Sequence, residues 1–169
     1  MAGTIGLPSE MFVQELRSNR LNDLVMKLYR SKIIKVGKGE RTLQMYCCFH
    51  LLSKLFWSEK ANWRFRPIIV EESALKSGSD IGDIMLPSDM EKDQIDVWVE
   101  IKNFFGKETI TNTMLRSLTR DYEKCDSNHQ RGGKGVVLFT FDDKIMGETL
   151  VQDLSNRFPK VTTIVIGGI

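Results

Sequence analysis

Ile95-Asp96-Val97-Trp98-Val99-Glu100-Ile101-Lys102 alternates strictly along its length. With the two-residue period of a strand, Ile95, Val97, Val99 and Ile101 fall on one face, and Asp96, Trp98, Glu100 and Lys102 on the other. Upstream, Gly82-Asp83-Ile84-Met85-Leu86 repeats the pattern in shorter form, and the polar run from Pro87 to Asp93 reads as a hairpin loop between the two. Setting Asp83 opposite Glu100 places Met85 against Trp98 and Pro87 against Asp96. That register makes one face continuous through Ile84, Leu86, Val97 and Val99, and gathers Asp83, Glu100 and Lys102 on the opposite face. Asp80 is the competing acid. In unbroken alternation it lies on the apolar side, and it needs a bulge, which Gly82 could supply, to join the others. Asp83 is preferred.

Working outward, Ser9 reads as the N-cap of a helix beginning at Glu10. Apolar residues recur from Met11 to Leu28, with a break near Ser18-Asn19, and residues 35–39 form a glycine-interrupted loop. The spacing predicts a helix over 41–57 that is apolar around most of its circumference and so buried against a sheet. His50 lies inside it and reads as a hydrogen-bonded core or boundary histidine rather than a catalytic one. A first strand is expected over 62–72, where Pro67 marks an edge or irregular point.

Beyond the opening octet, a helix starts near Asn112 with Leu115, Leu118 and Tyr122 as its buried stripe, followed by a loop over 126–135. Val136-Val137-Leu138-Phe139-Thr140-Phe141 is the continuous apolar run of a central strand. Residues 144–158 read as a helix stopped by Pro159, and 161–166 as a last strand. The order predicts an α/β domain: a mixed sheet flanked by helices, α-βββ-α-β-α-β, with its last two strands parallel through a right-handed crossover. Residues 1–40 form an N-terminal helical extension to a core over 41–169, within a single globular domain.

At 169 residues the chain is long enough for one substantial core. Its three cysteines lack zinc-type or redox-type spacing, which points to reduced thiols in an intracellular protein, cytoplasmic or nuclear. No apolar stretch reads as a signal or membrane span, so no membrane partner is expected. Charge is unevenly spread: residues 1–66 carry 12 Lys/Arg and 5 Asp/Glu, residues 67–100 carry 2 and 9, and residues 101–169 carry 10 and 8. Acid is concentrated around the hairpin, with base on either side, as suits a metal centre flanked by surfaces for a polyanion.

Two carboxylates side by side repel. At about 4 Å the cost is on the order of 4 kcal/mol with an effective dielectric near 20. A cation converts that penalty into attraction, and hard oxygen donors select Mg²⁺ or Mn²⁺. Such an ion polarises a phosphoryl oxygen and lowers the pKa of bound water. Lys102, two residues further along the same face, is placed to position the water or neutralise developing charge.

Asp83, followed by Glu100-Ile101-Lys102 at the end of an apolar strand, resembles the D…(D/E)-x-K signature of the PD-(D/E)XK nuclease superfamily. The element order over roughly residues 41–166 is also similar to its restriction-endonuclease-like core. The resemblance implies that Asp83 and Glu100 ligate the catalytic metal with the Ile101 carbonyl, and that Lys102 stands at the attacking water. The proline that commonly precedes the first acid is replaced here by Gly82. Relatives often add an acid from the first core helix, for which Glu40 and Glu59 are the available residues.

The expectation is therefore a Mg²⁺- or Mn²⁺-dependent nuclease, a hydrolase of phosphodiester bonds acting as a DNA endonuclease. A domain this small is expected to act as a homodimer or within a larger complex. Arg116, Arg120 and Lys124, on the helix after the site, are candidate phosphate contacts. The alternatives are an inactive binding module on the same fold and an RNA-cleaving nuclease. Arg131-Gly132-Gly133-Lys134-Gly135 lacks phosphate-loop spacing and precedes a strand, so it reads as a turn. His129 is assigned no role, and no nucleophile–histidine–acid set is present.

Overall fold

The hairpin is shorter at its turn than its polar residues suggest. Strand β2 (Ile84–Asp89) pairs antiparallel with β3 (Lys92–Asn103), and Asp89 already faces Lys92. The computed structural model describes residues 8–34, 39–56, 69–70, 82–89 and 92–168. Asp80, Glu59 and most of the strand expected over 62–72 lie outside the described residues; Ile69–Val70 forms β1 against Met85 and Ile84.

Met85 faces Trp98 and Leu86 faces Val97, as the alternation requires, but Pro87 faces Ile95 rather than Asp96. The register slips by one residue there, leaving Asp96 as the extra residue of a bulge. The consequence is a change of side for Ile95. It packs with Met85 and Trp98, while Val97, Val99 and Ile101 pack with Ile84 and Leu86 on the opposite face.

Strand β3 then pairs in parallel with β4 (Lys134–Asp143), and β4 in parallel with β5 (Thr162–Gly168). The described residues thus form a mixed sheet in the order β1-β2-β3-β4-β5, with helices on both faces. The apolar run of β4 is buried on both sides from Val136 to Phe141, as expected of a central parallel strand.

One face carries α1 (Pro8–Leu16), α2 (Asn19–Arg30) and α3 (Glu40–Leu51), the last continuing as a π-helical turn at Leu52–Phe56. The expected break falls at Ser18, whose hydroxyl accepts from Leu21 N as the N-cap of α2. Phe12, Leu16, Leu21, Val25, Leu43 and Cys47 join the sheet in one core. The burial of α3 is less complete than its composition suggests, since Met45 and Phe49 are exposed. His50 is a boundary histidine: its Nε2 lies 3.0 Å from Glu15 Oε1, and burial lowers its pKa against the pull of that carboxylate.

The other face carries α4 (Asn112–Gln130), α5 (Lys144–Leu150) and α6 (Gln152–Arg157). Helix α4 runs through residues expected to be loop, because Cys125 and Asn128 are held from the sheet side. The Asn128 amide donates to Ile95 O at 3.1 Å and Lys134 O at 3.0 Å. Such tertiary bonds outweigh the weak helix preference of Asp126-Ser127-Asn128. The helix expected over 144–158 is two short ones, divided at Val151. Among the described residues, no helix is long and apolar enough to cross a membrane.

Candidate active site

The parity of β2 and β3 puts Asp83, Trp98, Glu100 and Lys102 on the α4 side, at the end of the sheet where β2 begins. Strand β2 reaches only to Ile84, opposite Val99. Past that point the inner edge of β3 has the Asp83 side chain as its neighbour: Asp83 Oδ2 accepts the Ile101 amide at 2.6 Å. A residue's N–H and C=O leave a strand on the same side, so the Ile101 carbonyl is also directed to the Asp83 side. The Gln44 side-chain amide of α3 donates to the Asp83 carbonyl and fixes the backbone that carries this acid.

Glu100 is 3 % exposed. Its Oε1 accepts from Trp98 Nε1 at 2.8 Å and from Lys124 Nζ, on α4, at 3.3 Å. The indole reaches it by lying over Gly82. A Cβ on that residue would meet Trp98 Nε1 at 2.8 Å and Cε2 at 2.9 Å, closer than side chains approach. Glycine at position 82 therefore makes room for the tryptophan that bonds to Glu100.

Lys102 pairs with a residue that strand alternation alone does not reveal. Asp121, on α4, is buried and places Oδ2 3.4 Å from Lys102 Nζ. That oxygen is an ion-pair partner without hydrogen-bond geometry, and among the described residues it has no hydrogen-bond partner. Asp121 and Lys124, one helical turn apart, bring opposite charges from α4 to the acid and the base of β3. Glu40, exposed at the start of α3, reaches the same end of the sheet, where its Oε1 accepts the Asn103 amide at 3.4 Å.

The electrostatics follow chiefly from the burial of acids, with neighbouring carboxylates adding to it. Burial pushes the Glu100 carboxyl up to about 7; the Trp98 bond opposes this, and the Asp83 charge adds to it. Burial raises Asp121 to about 6 against the pull of Lys102. Asp83 is raised chiefly by burial, against its bond from Ile101, with Glu40 adding to the rise. Burial acts against the Lys102 ammonium, but the carboxylates of Asp121, Glu40 and Asp83 outweigh it and hold its pKa above the ordinary lysine value.

The expected trio Asp83, Glu100 and Lys102 is thus brought to one end of one sheet face, and Ile101 bonds directly to the first acid. Arg116 and Arg120 lie exposed along α4, and Lys124 continues their row to Glu100. Among the described residues, no three His, Cys, Asp or Glu side chains are already converged as a cation cage. The hard-oxygen donors nonetheless have the character that Mg²⁺ or Mn²⁺ matches. No protein-family model, curated protein or solved structure matches the chain.

Proposed function

We propose that the chain is a metal-dependent nuclease hydrolysing phosphodiester bonds, a DNA endonuclease with a restriction-endonuclease-like core. The observation that supports this best is the crowding of Asp83 and Glu100 beside the half-buried Lys102, at a sheet end also reached by Glu40. Asp83, Glu100 and the Ile101 carbonyl would hold Mg²⁺ or Mn²⁺, with Glu40 as a further acid. The ion would supply Lewis-acid polarisation of the phosphoryl group and a more acidic water.

In this reading Glu100 is kept in place by Trp98, and Asp83 by Ile101 and Gln44. Lys102, held charged by Asp121, orients the attacking water and offsets the charge that develops on the phosphate oxygens. Arg116 and Arg120 lie on the helix that carries Asp121 and are suited to bind backbone phosphates.

A second reading has one observation in its favour. Glu100 Oε1 is already occupied by Trp98 and Lys124, as it would be in a nucleic-acid-binding module without catalysis. Purified protein should be incubated with single-stranded, duplex and branched DNA, and with RNA, in Mg²⁺ or Mn²⁺. Cleavage that is lost in Glu100→Gln and Lys102→Ala while nucleic-acid affinity stays supports the enzyme. Binding without cleavage on every substrate supports the module, and preference for RNA reassigns the substrate.

A further inference from the structure

Among the described residues, strand β5 is an edge of the sheet that is closed at only one end. The Asn22 side chain lies against Gly167 as a short stretch of backbone would: its Nδ2 donates to Gly167 O at 3.2 Å, and its Oδ1 accepts Gly167 N at 3.1 Å. Gly167 therefore points its N–H and C=O away from β4. By the two-residue period, Val165 and Thr163 point theirs the same way. No backbone or side-chain partner for those four groups is found among the described residues. They form the floor of a groove of about 250 Å³ walled by Arg17 and Ser18 on one side and by Lys144 and Glu148 of α5 on the other.

Next to the groove-facing pair Lys144 and Glu148, α5 exposes Ile145, at 66 %, whereas Met146 and Leu150 lie across the helix from that pair. An open edge beside an exposed apolar side chain is a surface that proteins normally cover. We propose that this surface is a homodimer interface, in which β5 pairs antiparallel with β5 of a second copy across a two-fold axis at Ile164.

The register follows from the directions of the free groups. Ile164 faces its own counterpart in a non-hydrogen-bonded pair, and each Thr163 faces Val165 of the other copy in a hydrogen-bonded pair. All four outward groups are then satisfied on each copy, and the Asn22–Gly167 clamp stops the pairing from running further. A two-fold axis normal to the sheet keeps each helical layer on its own side, so α5 meets α5 through the flank that carries Lys144, Glu148 and Ile145. It also turns α5 end for end. Lys144 of one copy lies toward Glu148 of the other, a complementary arrangement that a lone added peptide would not supply.

The test is analytical ultracentrifugation of the full chain over a wide concentration range, with three sets of variants. The wild type is expected to dimerise. Ile145→Glu, beside the groove-facing pair of α5, and Val165→Pro, which removes an outward N–H without breaking a bond to β4, are each expected to weaken the dimer at least about tenfold. Lys144→Glu and Glu148→Lys should each weaken it, and the double reversal should restore it. Circular dichroism separates dissociation from misfolding, and Ile145→Glu serves where Val165→Pro does not fold. A chain that stays monomeric into the millimolar range, or a dimer indifferent to these changes, overturns the proposal.

Discussion

Asp83 Oδ2 accepts the amide of Ile101 at 2.6 Å, so the first acid of the candidate site is bonded to the residue just after the second. The bond ties both acids to one short stretch of backbone, and the two parts of this contact separate by mutation. Asp83→Asn keeps an acceptor for the Ile101 amide and should lower cleavage at least about 100-fold with little change in melting. Asp83→Ala also leaves that amide unpaired, adding a destabilisation of about 1–3 kcal/mol. Paired cleavage assays and denaturant titrations check this.

Trp98 and Gly82 act together on Glu100. Trp98→Phe keeps most of the packing and deletes only the indole N–H, so cleavage should fall about 10- to 100-fold as the Glu100 carboxylate loses its orientation. Gly82→Ala should do at least as much damage, by pushing the ring away. The two changes combined should cost little more than the worse of them, because both break one contact.

Asp121 is expected to be a positioning residue for Lys102. Asp121→Asn removes the closest carboxylate from the ammonium and should lower the Lys102 pKa. Cleavage should drop about tenfold, and the alkaline limb of its pH profile should move to lower pH. A purely structural role for Asp121 would leave that limb unmoved.

The raised acids also make stability depend on pH. Burial lifts Glu100 to about 7 and Asp121 to about 6, so the folded chain binds protons more tightly than the unfolded chain. Stability is then greatest below the ordinary carboxylate range and falls as pH rises through the folded values; Glu100 accounts for on the order of 3 kcal/mol. Metal-free protein should melt lower at about pH 8 than at about pH 5, and Glu100→Gln should flatten the slope. Mn²⁺ should raise melting more at the higher pH, where the carboxylates are ionised to receive it.

Alternation in the octet was enough to read the hairpin and the shared face of Asp83, Glu100 and Lys102. It misplaced Ile95 because a bulge at Asp96 changes the parity without changing the pattern of residue types. The parallel pairing of the last strands was legible from strand–helix–strand order. Lys124 was legible as a phosphate contact but not as a partner of Glu100, and Asp121 gave no signal, since their spacing also suits a solvated helix face. Only the docking of α4 on β3 brings the pair to Glu100 and Lys102. Gln44 and Trp98 had no charge signal at all, and their contribution is a contact that sequence spacing does not encode.

The most direct test of the nuclease reading is anomalous diffraction from crystals soaked in Mn²⁺. A manganese peak held by the carboxylates of Asp83 and Glu100 and the Ile101 carbonyl, and lost in Glu100→Gln crystals, is the expected result. Crystals in which Glu100 stays bonded to Trp98 and Lys124, with no manganese near Asp83, would contradict it.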